Sequence, residues 1–160
     1  AGSGLGETET PKPPPPPLEG RGGQETFMNL WVMKSEPETF SWDDLVRDGK
    51  TEWDGVRNYT AAGNLRAMKL GDRAFFYHSV QGLEIVGIME VSREAKPDGD
   101  GKHWVSVEVK PVEPLTKPVT LKQVKAEPSL AAMELVKFSR LSVGKVSPDE
   151  WKQVIDMSKA

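Results

Sequence analysis

Three consecutive strand-like segments in the middle of the chain constrain the fold most. They are "RAFFYHS", "LEIVGIMEVSRE" and "HWVSVEVKPVE", all rich in β-branched and aromatic residues. Gln81-Gly82 separates the first two, and the polar stretch "KPDGDGK" separates the last two. Both connections are typical of hairpins, so the sequence predicts that the three strands pair sequentially and antiparallel.

Shorter elements flank this run of strands. Leu30 to Lys34 is an apolar run typical of a buried strand, and "RLSV" is predicted as a further strand. Ser41 followed by Asp44 resembles a capping box that begins a short helix, and Gly49 ends it.

Three more helices are predicted from caps and apolar spacing. One begins at Asn58 or Thr60 and ends before Gly71, and the other two begin at Thr120 and Ser147. The order of strands and helices is mixed, without the regular alternation of a doubly wound parallel sheet. We therefore predict an α+β fold, with a curved antiparallel sheet or small barrel and helices on its outside.

The first 27 residues differ from the rest in composition. They hold six of the 13 prolines and six of the 15 glycines, with too few apolar residues to repay the entropy of ordering. We predict that residues 1–27 are a disordered tail, a remnant of cloning or an extension before a natural start at Met28. Residues 28–160 are predicted to form one domain.

Charge and residue usage restrict the classes of function. The formal net charge is -3, so nucleic-acid binding would have to depend on a local basic patch. The chain has no cysteine, which excludes disulfides and thiolate metal sites. We find neither a signal peptide nor 18 consecutive apolar residues, and we expect a soluble monomer without membrane contact, cytoplasmic or, in a eukaryote, nuclear.

Signals for catalysis are weak. His78 and His103 are the only histidines, so we expect no metal and no cofactor. Ser79 and His78 with Asp72 could suggest a hydrolase, but there is no GxSxG elbow, and neighbours on a strand point to opposite faces. Neither a P-loop nor a GxGxxG motif follows a strand. An enzyme built on Lys34, Ser35 and His78 remains an alternative.

A binding pocket agrees better with the residues available. Recognition of a base in an unpaired or flipped nucleotide needs aromatic faces, hydrogen-bonding groups for the base edge and cations for phosphate. The chain supplies such residues close together in sequence: Lys34, Ser35, Trp53, Arg57, Asn58, Tyr59 and His78. We expect the other large aromatic side chains to pack in the core, namely Trp31, Phe75, Trp104 and Trp151.

Four stretches together resemble the EVE domain family. They are "WVMKSEPETFSWDDL", "WDGVRNYTAAGNLRAMKLGDRAFFYHS", "IVGIMEVSREAKPD" and "RLSVGKVSPDEW", which occur in the family's order between Asn29 and Ile155. The resemblance implies a PUA-like fold, a curved antiparallel β-barrel with peripheral short helices, related to the YTH readers of methylated adenine in RNA. It also implies a non-catalytic module that takes a modified base, chiefly a modified cytosine in DNA, into an aromatic-lined pocket.

The resemblance further implies roles for individual residues. Trp53 and Tyr59 would provide the aromatic faces, with Tyr77 as a third wall. Asn58, Ser35 and backbone amides near Ser79 would contact the base edge, and Lys34, Arg57 and Arg140 would meet phosphate; His78 and Ser142 complete the ligand-binding set. An RNA-binding module acting on structured RNA remains a second alternative, and the sequence does not identify any protein partner.

Overall fold

The computed structural model describes residues 29–99 and 103–160. Within them, one sheet holds the six strands β1 (Leu30–Ser35), β2 (Thr51–Trp53), β3 (Arg73–His78), β4 (Glu84–Pro97), β5 (Val105–Thr120) and β6 (Val143–Val146). The helices are α1 (Trp42–Asp48), α2 (Tyr59–Ala67), α3 (Leu121–Ala126), α4 (Glu134–Lys137) and α5 (Pro148–Lys159), with a 3₁₀ turn at Pro128–Leu130. The predicted tail and the start at Met28 lie outside the described residues.

The sheet is mixed, with the order β2-β5-β4-β3-β1-β6. Strands β3, β4 and β5 pair antiparallel in sequence, as predicted. Strand β1 runs parallel to β3, from Leu30 opposite Arg73 to Ser35 opposite His78. The long connection through α1, β2 and α2 makes this parallel pairing possible. The α+β class is therefore confirmed, whereas the sheet is not antiparallel throughout, and β2 and β6 stay at its two edges without closing a barrel in the described part of the chain.

The pairing of β4 with β5 is irregular. The register shifts at several points, the first of them between Ile85 and Gly87. A Cβ atom added at Gly87 would lie only 2.6 Å from the indole ring of Trp42. Glycine is thus required here because α1 packs directly against the backbone of β4.

Alternate residues of the strands supply two hydrophobic clusters. Trp31, Met33 and Phe76 belong to the cluster that includes α1 and α2, whereas Val32 and Phe75 belong to the cluster that includes α3 and α5. This division follows from the strand geometry, since successive side chains point to opposite faces. The predicted core positions of Trp31 and Phe75 are confirmed.

The predicted helix caps largely agree with the structure. Ser41, Thr120 and Ser147 each form a capping box, and Gly49 ends α1 with a φ of 81°. The strand predicted at "RLSV" begins only at Val143, and the short strand β2 was not predicted. No helix in the described ranges is long and apolar enough to cross a membrane.

Candidate functional site

An open groove of about 390 Å³ lies between the first turn of α2 and the segment that precedes β6. Its lining consists of Asn58, Thr60, Phe138, Ser139, Arg140 and Leu141. Two of these, Asn58 and Arg140, are among the predicted site residues. Phe138 was not predicted, and its 46% exposure leaves an aromatic surface in the groove wall.

Asn58 has a defined orientation because it caps α2. Its Oδ1 accepts a hydrogen bond of 2.9 Å from the backbone N–H of Ala61. The cap occupies the carbonyl oxygen of the amide, which also contains an NH₂ group with two donors. A groove ligand with acceptor atoms could therefore be bound by the NH₂ group while the cap stays intact.

Lys34 holds the opposite wall of the groove in place. Its Nζ donates to the carbonyl of Ser139 at 2.8 Å, and its backbone N–H donates to the carbonyl of Ser142 at 2.9 Å. Nζ also lies 5.9 Å from the centroid of the Tyr77 ring. Burial lowers the pKa of Lys34. Lys34 and Ser142 are thus placed to position the wall that carries Arg140.

Trp53 and Tyr77 lie in the core and do not line the groove. Trp53 is 9% exposed and meets Phe76 edge-on, with 5.7 Å between the ring centroids. Tyr77 is 3% exposed and belongs to the second hydrophobic cluster. The structure packs these two side chains in the hydrophobic clusters, and the aromatic walls predicted at their positions are not part of this groove.

Ser35, His78 and Ser79 form hydrogen bonds that hold the ends of β1 and β3. Ser35 Oγ donates to the carbonyl of Phe40 at 2.6 Å, and the N–H of Ser79 donates to the carbonyl of Ser35 at 2.9 Å. His78 Nε2 accepts a 3.1 Å hydrogen bond from the backbone N–H of Trp42. Burial lowers the pKa of His78, although Glu84 and Asp43 oppose the shift. The ring is therefore a neutral acceptor at neutral pH.

The groups of the alternative enzymatic site are not arranged as a catalytic set. Lys34 Nζ, Ser35 Oγ and His78 Nε2 each bond to a different backbone group, and no hydrogen bond joins any two of them among the described residues. Likewise, within residues 29–99 and 103–160, no three His, Cys, Asp or Glu side chains are grouped so that they could hold a metal ion.

Arg57 and Tyr59 lie on the surface beside the groove. Arg57 Nη1 is 3.0 Å from Asp98 Oδ2, and this oxygen also accepts from the N–H of Gly55 at 2.9 Å. Tyr59 is 66% exposed and stacks on Trp104, with ring centroids 5.0 Å apart. Trp104 is half-buried, so its predicted core position is wrong. Trp104 directly follows the polar hairpin loop, and this position in the sequence indicates a surface residue, since binding residues often lie at loop ends.

Comparison with known proteins identifies the family. The family model of the EVE domain matches residues 29–157. Thymocyte nuclear protein 1 of Rattus norvegicus is 35% identical over 168 residues, which cover 82% of this chain and 74% of that protein. The solved structure of Rpa0253 from Rhodopseudomonas palustris is 51% identical, with a TM-score of 0.79 over 82% of this chain and 94% of that one.

A human relative has been solved with a nucleic acid. Human THYN1 protein, in complex with DNA containing 5-methylcytosine, is 32% identical to this chain, with a TM-score of 0.78. The match covers 82% of this chain and 98% of the human one. Sequence motifs, fold and relatives agree, and the chain belongs to the EVE domain family.

Proposed function

We propose that this protein is a non-catalytic module that binds DNA carrying a modified cytosine and holds the modified base in the groove between α2 and β6. The observation that carries the proposal is the groove itself, in which Asn58, Arg140 and the exposed ring of Phe138 face one space. A base needs these three kinds of contact: hydrogen bonds to its edge, a charge for its phosphate and an aromatic surface.

Each group in the groove has a distinct role in this proposal. The Asn58 NH₂ group donates to the acceptor atoms on the Watson–Crick edge of cytosine, while its Oδ1 remains the helix cap. Phe138 provides a stacking surface, and Arg140 meets the phosphate of the same nucleotide. Lys34 acts as a positioning residue, since it fixes the wall through Ser139 and Ser142.

The family supports the choice of ligand. The structure of the human relative contains DNA with 5-methylcytosine, and its fold matches 82% of this chain. The hydrogen bonds of Ser35 and His78 support a non-catalytic role, because a Ser hydroxyl donating to a backbone carbonyl and a His accepting from a backbone amide are held in the fold. Neither group is poised as a nucleophile or a general base.

The expected discrimination is modest. Burying one methyl carbon contributes about 0.8 kcal/mol, which corresponds to a preference of about fourfold for 5-methylcytosine over cytosine. A larger ratio would require that the unmodified base leave a polar group unpaired. A preference above about a thousandfold would contradict a mechanism based on the methyl group alone.

The test is binding of the full 160-residue chain to fluorescent DNA with one central cytosine or 5-methylcytosine, followed by anisotropy at two salt concentrations. RNA of the same sequence is the third ligand. The key variant is Asn58→Asp, which keeps a good helix cap but removes the NH₂ donors and adds a negative charge. Arg140→Gln is the second variant, and Asp149→Asn, on the exposed first turn of α5, is a control away from the groove.

We expect tighter binding of methylated DNA. Asn58→Asp should weaken the binding of both DNAs, because the acceptor atoms that Asn58 contacts are the same in the two bases, and Arg140→Gln should also lower the affinity. Asp149→Asn should behave like the unchanged protein. Equal affinity of the unchanged protein for both DNAs would contradict the proposal that it recognises a modified base. Preference for RNA over DNA would instead favour the module acting on structured RNA.

A further inference from the structure

An aromatic cluster of Tyr59, His103 and Trp104 lies next to the groove. Tyr59 directly follows Asn58 and is the first residue of α2, while His103 and Trp104 lie just before β5. Tyr59 stacks on Trp104 at 5.0 Å with an angle of 28° between the rings. His103 stands almost perpendicular to Tyr59, at 5.5 Å.

The outer face of Tyr59 is open. The distance between His103 and Trp104 is 6.1 Å, so the three ring centroids form a nearly equilateral triangle. His103 therefore lies beside the stack of Tyr59 and Trp104, and not across the far face of Tyr59. The 66% exposure of Tyr59, with Trp104 covering one side, agrees with this geometry. The far face is a flat aromatic surface that is already backed by another ring.

Two arginines border this cluster. The guanidinium of Arg57 lies 5.5 Å from the centroid of the Trp104 ring and is paired with Asp98. Arg66 Nη2 donates to the carbonyl of His103 at 2.8 Å, and Arg66 forms no ion pair within the described ranges. Arg66 is seven residues after Tyr59, which places it on the same side of α2, about 10 Å further along the helix. Its charge is thus available for a phosphate beyond Tyr59.

We propose that the outer face of Tyr59 stacks on the base adjacent to the one in the groove, and that Arg66 contacts a phosphate further along the same strand. The ligand is therefore an unpaired DNA strand, because a paired duplex keeps the neighbouring base stacked on its own partners and cannot place it on a protein ring. This inference rests on the proposed function, and it adds Arg66, His103 and Trp104 to the nucleic-acid surface.

The experiment combines a change in the protein with a change in the DNA. Single-stranded DNA with a central 5-methylcytosine is prepared intact, with an abasic site on its 5′ side, and with one on its 3′ side. Binding is measured for the full chain, for Tyr59→Ala and for Tyr59→Phe, which keeps the ring. Loss of one stacked base weakens binding by about 5- to 150-fold.

We expect the unchanged protein and Tyr59→Phe to lose this affinity at one of the two abasic positions. Tyr59→Ala lacks the stacking ring, so its affinity for the intact strand should equal the affinity of the unchanged protein for that abasic strand. Removing the adjacent base from the DNA should cause no further loss of affinity in Tyr59→Ala. An equal effect of both abasic sites on all three proteins would overturn the stacking inference alone. If none of the DNAs binds to the unchanged protein, both this inference and the proposed function are overturned.

Arg66 is tested by the salt dependence of binding. A contact with one phosphate contributes about 0.7 to the slope of log K against log salt on single strands. We expect Arg66→Gln to lower the slope by about this amount. Arg47→Gln is the matched control, since Arg47 is exposed on α1 and paired with Asp44 and Asp48. An unchanged slope in Arg66→Gln would overturn its contact with phosphate.

Discussion

Trp53 and Tyr59 lie six residues apart in the sequence, yet they belong to two aromatic groups that differ in their exposure to solvent. Trp53 and Trp42 each meet Phe76 edge-on at 5.7 Å, and all three are 9% exposed or less. Tyr59 packs against Trp104 and His103 at similar distances but is 66% exposed. The buried group uses its ring surfaces for the core, whereas the exposed group retains a free ring face.

Two aspartates show the same contrast. Asp72 is 3% exposed, accepts from the Trp31 indole at 3.1 Å, and burial raises its pKa to about 6 despite several hydrogen bonds. Asp98 lies near the exposed group, and the N–H of Gly55 together with Arg57 lowers its pKa. Burial disfavours the charged form of Asp72, whereas hydrogen bonds and the Arg57 ion pair favour the charged form of Asp98. Substitutions in the buried region should therefore change stability most, and substitutions in the exposed region should change binding most.

The largest effect is expected from Trp53→Ala. Removing a buried Trp side chain leaves a cavity, which lowers the free energy of unfolding by about 3 to 5 kcal/mol. Urea denaturation at pH 7 measures this change through the midpoint, provided that the m-value stays constant. Tyr59→Ala is the matched variant in the exposed group, with an expected loss below about 1.5 kcal/mol. Similar losses in the two variants would contradict the division into a core group and a surface group.

The second prediction concerns the pH dependence of stability caused by Asp72. Its pKa rises from 3.8 to about 6 on folding, so the native state binds more protons than the unfolded state between these values. The stabilisation is fully present below about pH 4 and is lost as pH rises through 6, with a total of about 3 kcal/mol.

Asp72→Asn isolates this contribution because the amide does not titrate. We expect the difference in unfolding free energy between the unchanged protein and Asp72→Asn to decrease by about 2 kcal/mol from pH 4 to pH 7, in urea titrations at several pH values. A constant difference would mean that the hydrogen bonds donated by Asn29, Trp31 and Lys69 offset the burial and leave the pKa of Asp72 unchanged on folding.

Local signals in the sequence predicted the buried region well. The strand alternation, the hairpin at Gly82 and the caps at Ser41, Asn58 and Ser147 depend on neighbouring residues, so a single sequence reveals them. The parallel pairing of β1 with β3 and the contact of Gly87 with Trp42 depend on residues far apart in the chain. Nothing in the local pattern indicates such contacts.

The exposed region was predicted only in part, for a related reason. Asn58, Arg140 and Tyr59 were selected from sequence motifs, and the fold places the first two in one groove. The same motifs contain Trp53, Tyr77 and Ser35, which the fold uses for packing and for hydrogen bonds. Several motif residues are needed for the fold, and their burial separates them from the exposed motif residues that we propose for ligand binding. Phe138 and Trp104 became candidates only through the groove and the ring stacking.

The smallest change in stability is expected from Asp98→Asn, in the exposed region. The ion pair with Arg57 is partly exposed, with 46% of the Arg57 side chain and 20% of the Asp98 side chain in solvent, so its loss costs about 1 kcal/mol. The Asn carbonyl can still accept from the N–H of Gly55, which keeps the hairpin in place. Because Arg57 loses its carboxylate partner beside the aromatic cluster, we expect tighter binding of DNA and a steeper salt dependence, by anisotropy at several salt concentrations. Weaker binding of DNA with unchanged stability would show instead that the ion pair of Arg57 with Asp98 orients the Trp104 ring behind Tyr59. The position of the Trp104 ring would then matter more for binding than the charge of Arg57.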